Sequence, residues 1–127
     1  MRTSENERRT FDRYSYDGAV VRFIKGKNLG VLKKFSQNYP MKDISRSGMR
    51  FEFDRYKDPG SIMDVIVDIP GESNIHIRGN IQWVMEFDNS QKYEIGILFA
   101  PYGHRREYNP FRSKDRLKNM LKKRELH

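Results

Sequence analysis

Residues 74–87, "NIHIRGNIQWVMEF", decide the fold class. Ile75, Ile77, Ile81, Trp83, Met85 and Phe87 fall on one parity, while His76, Arg78, Asn80, Gln82 and Glu86 fall on the other. A period of two marks a strand with one face buried and one face wet. Gly79 interrupts the apolar parity, where a missing side chain permits a bulge or a sharp bend. The same alternation extends outward from this run. In "YEIGILF" (93–99), Tyr93, Ile95, Ile97 and Phe99 share a face. In "SIMDVIVDIP" (61–70), Met63, Val65, Val67 and Ile69 oppose Asp64 and Asp68, and in "GMRFEFD" (48–54), Met49, Phe51 and Phe53 oppose Arg50, Glu52 and Asp54. "GAVVRFIKG" (18–26) reads as a further strand between glycines.

Turn chemistry separates these runs at Asp17-Gly18, at Pro70-Gly71 and at Asp88-Asn89-Ser90. Residues 25–40 are ambiguous between a short strand and a turn, with Pro40 closing the segment. The period then changes. Residues 109–127 offer Asn109 as N-cap and Pro110 at the first helical position. Leu117, Met120 and Leu121 follow at helical spacing, and Lys122, Lys123 and Arg124 suit the negative end of the helix dipole. Five or six short strands and one terminal helix predict an all-β, antiparallel barrel with a C-terminal helix packed on it.

Composition limits the function. The chain has 127 residues, suited to one domain, and its 13% aromatic content argues against a wholly disordered chain. A net charge of +8 favours anionic partners. The absence of cysteine excludes disulfides, thiolate catalysis and cysteine-type zinc sites. No apolar run approaches the ~18 residues of a membrane span. The polar N-terminus, with Glu5 and Glu7, lacks the apolar core of a secretory signal, so the expected location is the cytoplasm. His76, His104 and His127 have no neighbours that suggest a metal site or a nucleophile–base pair. Asp64 and Asp68 share a strand face that could chelate a cation, though a solvated face is the better reading. The sequence does not read as an enzyme, and it implies neither a metal nor a cofactor.

Two short elements carry the binding chemistry. In "ERRTFDRY" (7–14), Arg9 and Arg13 are four apart, which places both guanidinium groups on one side of the chain. Each can fork onto phosphate oxygens or onto the O6/N7 edge of guanine. In "DISRSGMRFE" (43–52), Asp43, Ser45 and Gly48 enter a strand. A carboxylate can accept from the N1–H and N2–H₂ edge of guanine, a hydroxyl can donate to phosphate, and glycine lets backbone approach closely. Alone, each element is ordinary: R-x-x-x-R is common in basic chains, and Asp, Ser and Gly make turns.

Together, R-x-x-x-R followed by D-x-S-x-x-G at the mouth of a strand resembles the two-part motif of the PilZ domain family, receptors for the second messenger cyclic di-GMP. The resemblance extends through the central strands and covers residues ~7 to 125. It implies a six-stranded antiparallel barrel over residues 15–108, a C-terminal helix over 109–127 and a flexible arm over 1–14. It implies that Arg9 and Arg13 bind phosphate and guanine Hoogsteen edges, that Asp43 reads a guanine edge, that Ser45 contacts phosphate or base, and that Gly48 keeps the turn open. Arg8 sits where the family sets ligand number, and an arginine there favours a stacked pair of ligands. Parity assigns Trp83 to core packing, and at the barrel mouth it would also touch a base. The segment between the motifs fits the family's second strand poorly, so an irregular barrel is expected there.

The implied function is a cyclic di-GMP receptor whose arm orders on ligand and whose altered surface is read by a protein partner in trans. The rival is a basic barrel that binds RNA or single-stranded DNA, mildly supported by Arg112, Lys114, Arg116, Lys118, Lys122 and Lys123. A domain acting only through protein contacts fits less well, since both motifs are intact. Nucleic acid is the less expected partner.

Overall fold

Alternating apolar residues along five runs need a closed sheet to bury them, and the chain forms one. The structure, a computed structural model, describes residues 12–25 and 34–125. Among these residues are seven strands: β1 (Val20–Lys25), β2 (Lys34–Phe35), β3 (Tyr39–Ile44), β4 (Gly48–Phe53), β5 (Ile62–Asp68), β6 (Ile75–Glu86) and β7 (Tyr93–Phe99). One helix, α1 (Phe111–Glu125), follows. Six strands pair antiparallel in the order β1-β3-β4-β7-β6-β5, and β5 returns to β1 to close the barrel. Closure leaves these six strands without the unpaired edge that invites association.

The weak seam is where the sequence was ambiguous. β1 and β3 share two residue pairs, Val20↔Pro40 and Val21↔Tyr39, while β2 pairs with the far end of β1 at Ile24↔Phe35. Pro40 does not close the segment but lies second in β3. A residue without an N–H is tolerated there because the ladder is at its start. Residues 26–33 lie outside the described residues.

The inward parities meet as expected. Met49, Phe51, Val65, Ile75, Ile81 and Ile95 are fully buried, and Leu117, Met120 and Leu121 of α1 join the same core. Burial of such side chains contributes ~1.5–3 kcal/mol each. The helix is also tied at its polar flank. Ser113 donates to the His76 carbonyl at 2.6 Å, and Arg116 donates to the Asn74 carbonyl at 2.9 Å. Arg124 donates to the Ser15 carbonyl at 2.6 Å while lying over the rings of Tyr14 and Tyr16.

Three local expectations change. Gly79 carries no bulge: the ladder runs through it, and a Cβ there would lie 2.9 Å from the Leu98 carbonyl oxygen, so the glycine serves close strand approach. The register shift falls instead between Ile81 and Trp83, at Gln82. Beyond it the parity reverses: Val84 packs on the core, while Trp83 and Met85 are exposed at 36% and 52%. Trp83 is therefore not a core residue. Asn109, finally, does not cap the helix with its side chain. It is buried against β6, accepting from the Arg78 amide at 2.7 Å and donating to the carbonyls of Arg78 and Ala100 at 2.9 and 3.0 Å. No helix among the described residues is long and apolar enough to cross a membrane.

Candidate functional site

The turn between β3 and β4 is built by its own side chains. The Ser45 hydroxyl accepts from the amides of Ser47 and Gly48 at 3.2 and 3.3 Å, and the Ser45 amide donates to the Gly48 carbonyl at 2.8 Å. Ser45 is 1% exposed, so in this geometry its hydroxyl serves the turn. At Gly48 a Cβ would overlap the Ile97 carbonyl oxygen of β7, which is why the turn enters β4 on a glycine.

Asp43 stands just before this turn, after a register shift between Met41 and Asp43. Its carboxylate is gripped from two sides. Arg50 of β4 presents Nε to Oδ1 and Oδ2 at 3.0 and 3.1 Å and also bonds Oδ2 through Nη2. Arg13 presents Nη1 to Oδ1 at 3.3 Å. Hydrogen bonding to Asp43 raises the Arg50 pKa further above its ordinary value, so this guanidinium stays charged. Beneath the pair lies Glu94 of β7, which is 3% exposed. It accepts from Lys42 at 3.0 Å and faces Arg50 Nη1 at 4.0 Å. Three cations and two carboxylates thus share one patch of the outer barrel wall.

Register extends the patch sideways. Asp43 pairs with Arg50, Arg50 with Gly96 and Gly96 with Trp83, a row that crosses β3, β4, β7 and β6. A Cβ at residue 96 would fall inside the Trp83 indole, 2.6 Å from Nε1, so the ring lies flat over the glycine. The bulge at Gln82 is what turns Trp83 outward into this row. An exposed indole two strands from the fixed Arg50 guanidinium, in one register row, suits a ligand that is both anionic and planar.

Of the residues expected from sequence, the fold brings Arg13 to Asp43 and holds Ser45 and Gly48 in the adjoining turn, while Trp83 lies three strands away in the same register row. Arg8 and Arg9 lie outside the described residues. The sequence reading missed Arg50, Glu94 and Lys42. Arg50 and Glu94 sat on polar parities and drew no notice, because only register shows that they flank Asp43. Asp64 and Asp68 prove to be held by cross-strand arginines, Asp64 by Arg78 at 2.8 Å and Asp68 by Arg22 at 3.2 Å. Among the described residues no group of three or more acidic or histidine side chains could hold a metal ion.

A family model for the PilZ domain matches residues 7–107, most of the chain. The chain belongs to the PilZ domain family. This PilZ domain is similar in structure to MrkH of K. pneumonia in its c-di-GMP complex, with a TM-score of 0.63 and 15% identity over 93% of this chain and 52% of that one. It is also similar to MotI/DgrA, the inhibitor of motility of Bacillus subtilis, with a TM-score of 0.60 and 13% identity over 91% of this chain and 51% of that one. MrkH in its apo state matches with a TM-score of 0.62 at 12% identity, over 88% and 49%. The PilZ domain described here therefore spans about half the length of these neighbours. No significant match is found among curated proteins.

Proposed function

We propose that this PilZ domain is a receptor for cyclic di-GMP. The observation that carries this reading is the row Asp43–Arg50–Gly96–Trp83 with Arg13 at its end: fixed guanidinium groups, a guanine-reading carboxylate and an open indole face in one register. Arg13 and Arg9 hold phosphates and the Hoogsteen edges of guanine, Asp43 reads the N1–H/N2–H₂ edge, and Trp83 stacks on a base. Ser45 and Gly48 belong to the site through the turn they hold, and the Ser45 hydroxyl reaches phosphate only by leaving that turn. Arg8 lies over a further guanine and favours a stacked pair of ligands.

In the ligand-free protein both arginines on Asp43 do the ligand's work. The guanine edge then replaces part of their hold on the carboxylate, and Arg13 and Arg50 turn to phosphate while Glu94 still neutralises Arg50. We read the N-terminal arm as the switch: Arg13, held by Asp43 without ligand, turns to the ligand on binding, and the changed surface is presented to a protein partner.

Calorimetric titration tests the reading. Cyclic di-GMP should bind in preference to GTP and to the linear dinucleotide, with the molar ratio at the equivalence point giving one or two ligands. Absence of heat with cyclic di-GMP would end the proposal. Binding of single-stranded DNA that falls steeply with salt and ignores sequence would favour the rival.

A further inference from the structure

The helix carries the cations that made nucleic acid a rival partner, and the fold sorts them. Arg116 is held by the Asn74 carbonyl, Lys123 pairs with Glu72 at 3.2 Å, and Arg124 is folded over Tyr14 and Tyr16. These three serve the barrel, which leaves Arg112, Lys114, Lys118 and Lys122 as the other exposed cations of α1. Lys114 and Lys118, one turn apart, point elsewhere. Both are exposed and neither makes an ion pair among the described residues.

With Arg46 they line a cavity of about 420 Å³, which Tyr102 and Leu117 complete. The Lys114 ammonium lies 5.9 Å from the centre of the Tyr102 ring. Nearly one turn before Lys114 on α1, Phe111 is 45% exposed and meets His104 edge to face at 5.2 Å. The cavity thus has a cationic rim, an apolar floor and an aromatic shoulder. Tyr102 is uncharged near neutral pH, as any tyrosine is, and burial pushes its hydroxyl further up, to about 12. The chain itself shows what the rim accepts: Arg46 donates to both carboxylate oxygens of Glu125 at 3.3 Å.

We propose that this cavity docks an acidic segment of a partner protein, with a carboxylate among Arg46, Lys114 and Lys118 and a neighbouring apolar side chain on Tyr102, Leu117 and Phe111. Convergence selects this occupant over nucleic acid. A phosphate backbone needs cations spread along its path, whereas these three meet at one concavity sized for a few side chains. A low-dielectric floor strengthens each charge-assisted bond made there, and the net charge of +8 steers an acidic partner toward it. Lys114 and Lys118 lie on α1, while Arg46 lies between Ser45 and Gly48, so the cavity adjoins the turn that borders the Asp43–Trp83 row.

The test uses the full chain, ¹⁵N-labelled, titrated with acetyl-Glu-Glu-Phe-Glu-Glu-Leu-amide, and separately with a lysine-for-glutamate version of that peptide and with single-stranded oligo-dT. The acidic peptide should shift the amides of Tyr102, Lys114 and Lys118. The pair Lys114→Glu/Lys118→Glu should weaken it at least about tenfold, while the charge-matched pair Lys92→Glu/Arg112→Glu should change it less than about twofold. Equal losses in the two pairs would show general attraction only and overturn the proposal. So would shifts confined to other residues, or tighter binding of oligo-dT at the same amides. Circular dichroism of both pairs confirms that the helix is retained.

Discussion

Arg13→Ala should lower the affinity for cyclic di-GMP about 30- to 150-fold. A charge-assisted hydrogen bond contributes ~1.5–3 kcal/mol, and a guanidinium fork on phosphate or on guanine makes two at once. Some of this is offset because Arg13 must leave Asp43, so a loss of about 2–3 kcal/mol is expected, which gives the stated range. The same substitution should scarcely alter stability. Arg13 has a half-exposed side chain, and an ion pair in that setting contributes at most ~1 kcal/mol to folding. Asp43 also keeps its stronger partner, Arg50. A large effect on binding with a small one on melting is thus the signature of a ligand contact. Arg9→Ala should fall in the same affinity range. Calorimetry that returns wild-type affinity for both variants would remove the site.

Gly48→Ala should destabilise the barrel by about 3 kcal/mol, because the added methyl meets the Ile97 carbonyl oxygen. That oxygen belongs to the backbone of β7 within its ladder with β4, so it cannot rotate away as a side chain would. Relief requires β4 and β7 to part where Gly48 pairs with Leu98. The melting midpoint should drop by roughly 10 °C for a chain of this size. Gly60→Ala gives the contrast. Gly60 has φ of +92° but nothing within 4 Å of an added Cβ, so only backbone strain applies, about 1 kcal/mol. Thermal melts followed by circular dichroism separate the two, and equal midpoints would mean that the close approach at Gly48 is not what the barrel depends on.

The barrel was legible wherever a strand has one buried face, since alternation is then written into the residue types. It was legible along 48–54, 61–70 and 93–99, and along 75–81. It failed at Gln82, because a bulge adds one residue without changing composition, and every later residue of β6 changes side. That is why Trp83 was assigned to the core while the structure lays it across Gly96. Pro40 misled for a related reason: proline marks a break unless pairing there is brief, and brevity is a tertiary fact. Asn109 carries a cap's chemistry, yet Arg78 and Ala100 offered its amide more partners than the helix did. The site was legible as far as its local motifs, Asp43 to Gly48 and Arg13. Arg50 and Glu94 were invisible because their meaning lies in which strands sit side by side, a relation that no short stretch of sequence contains.

The placement of Trp83 has an optical consequence. It is the sole tryptophan of the chain, and it rests on the outer wall in the same row as Arg50 and Asp43. Excited at wavelengths that tyrosine does not absorb, the protein emits from one place only, the rim of the candidate site. Its emission colour reports how much water reaches the indole over Gly96, and any base laid on that face must alter both colour and intensity. The barrel therefore carries its own unlabelled gauge of occupancy, read in a cuvette without touching a single other residue.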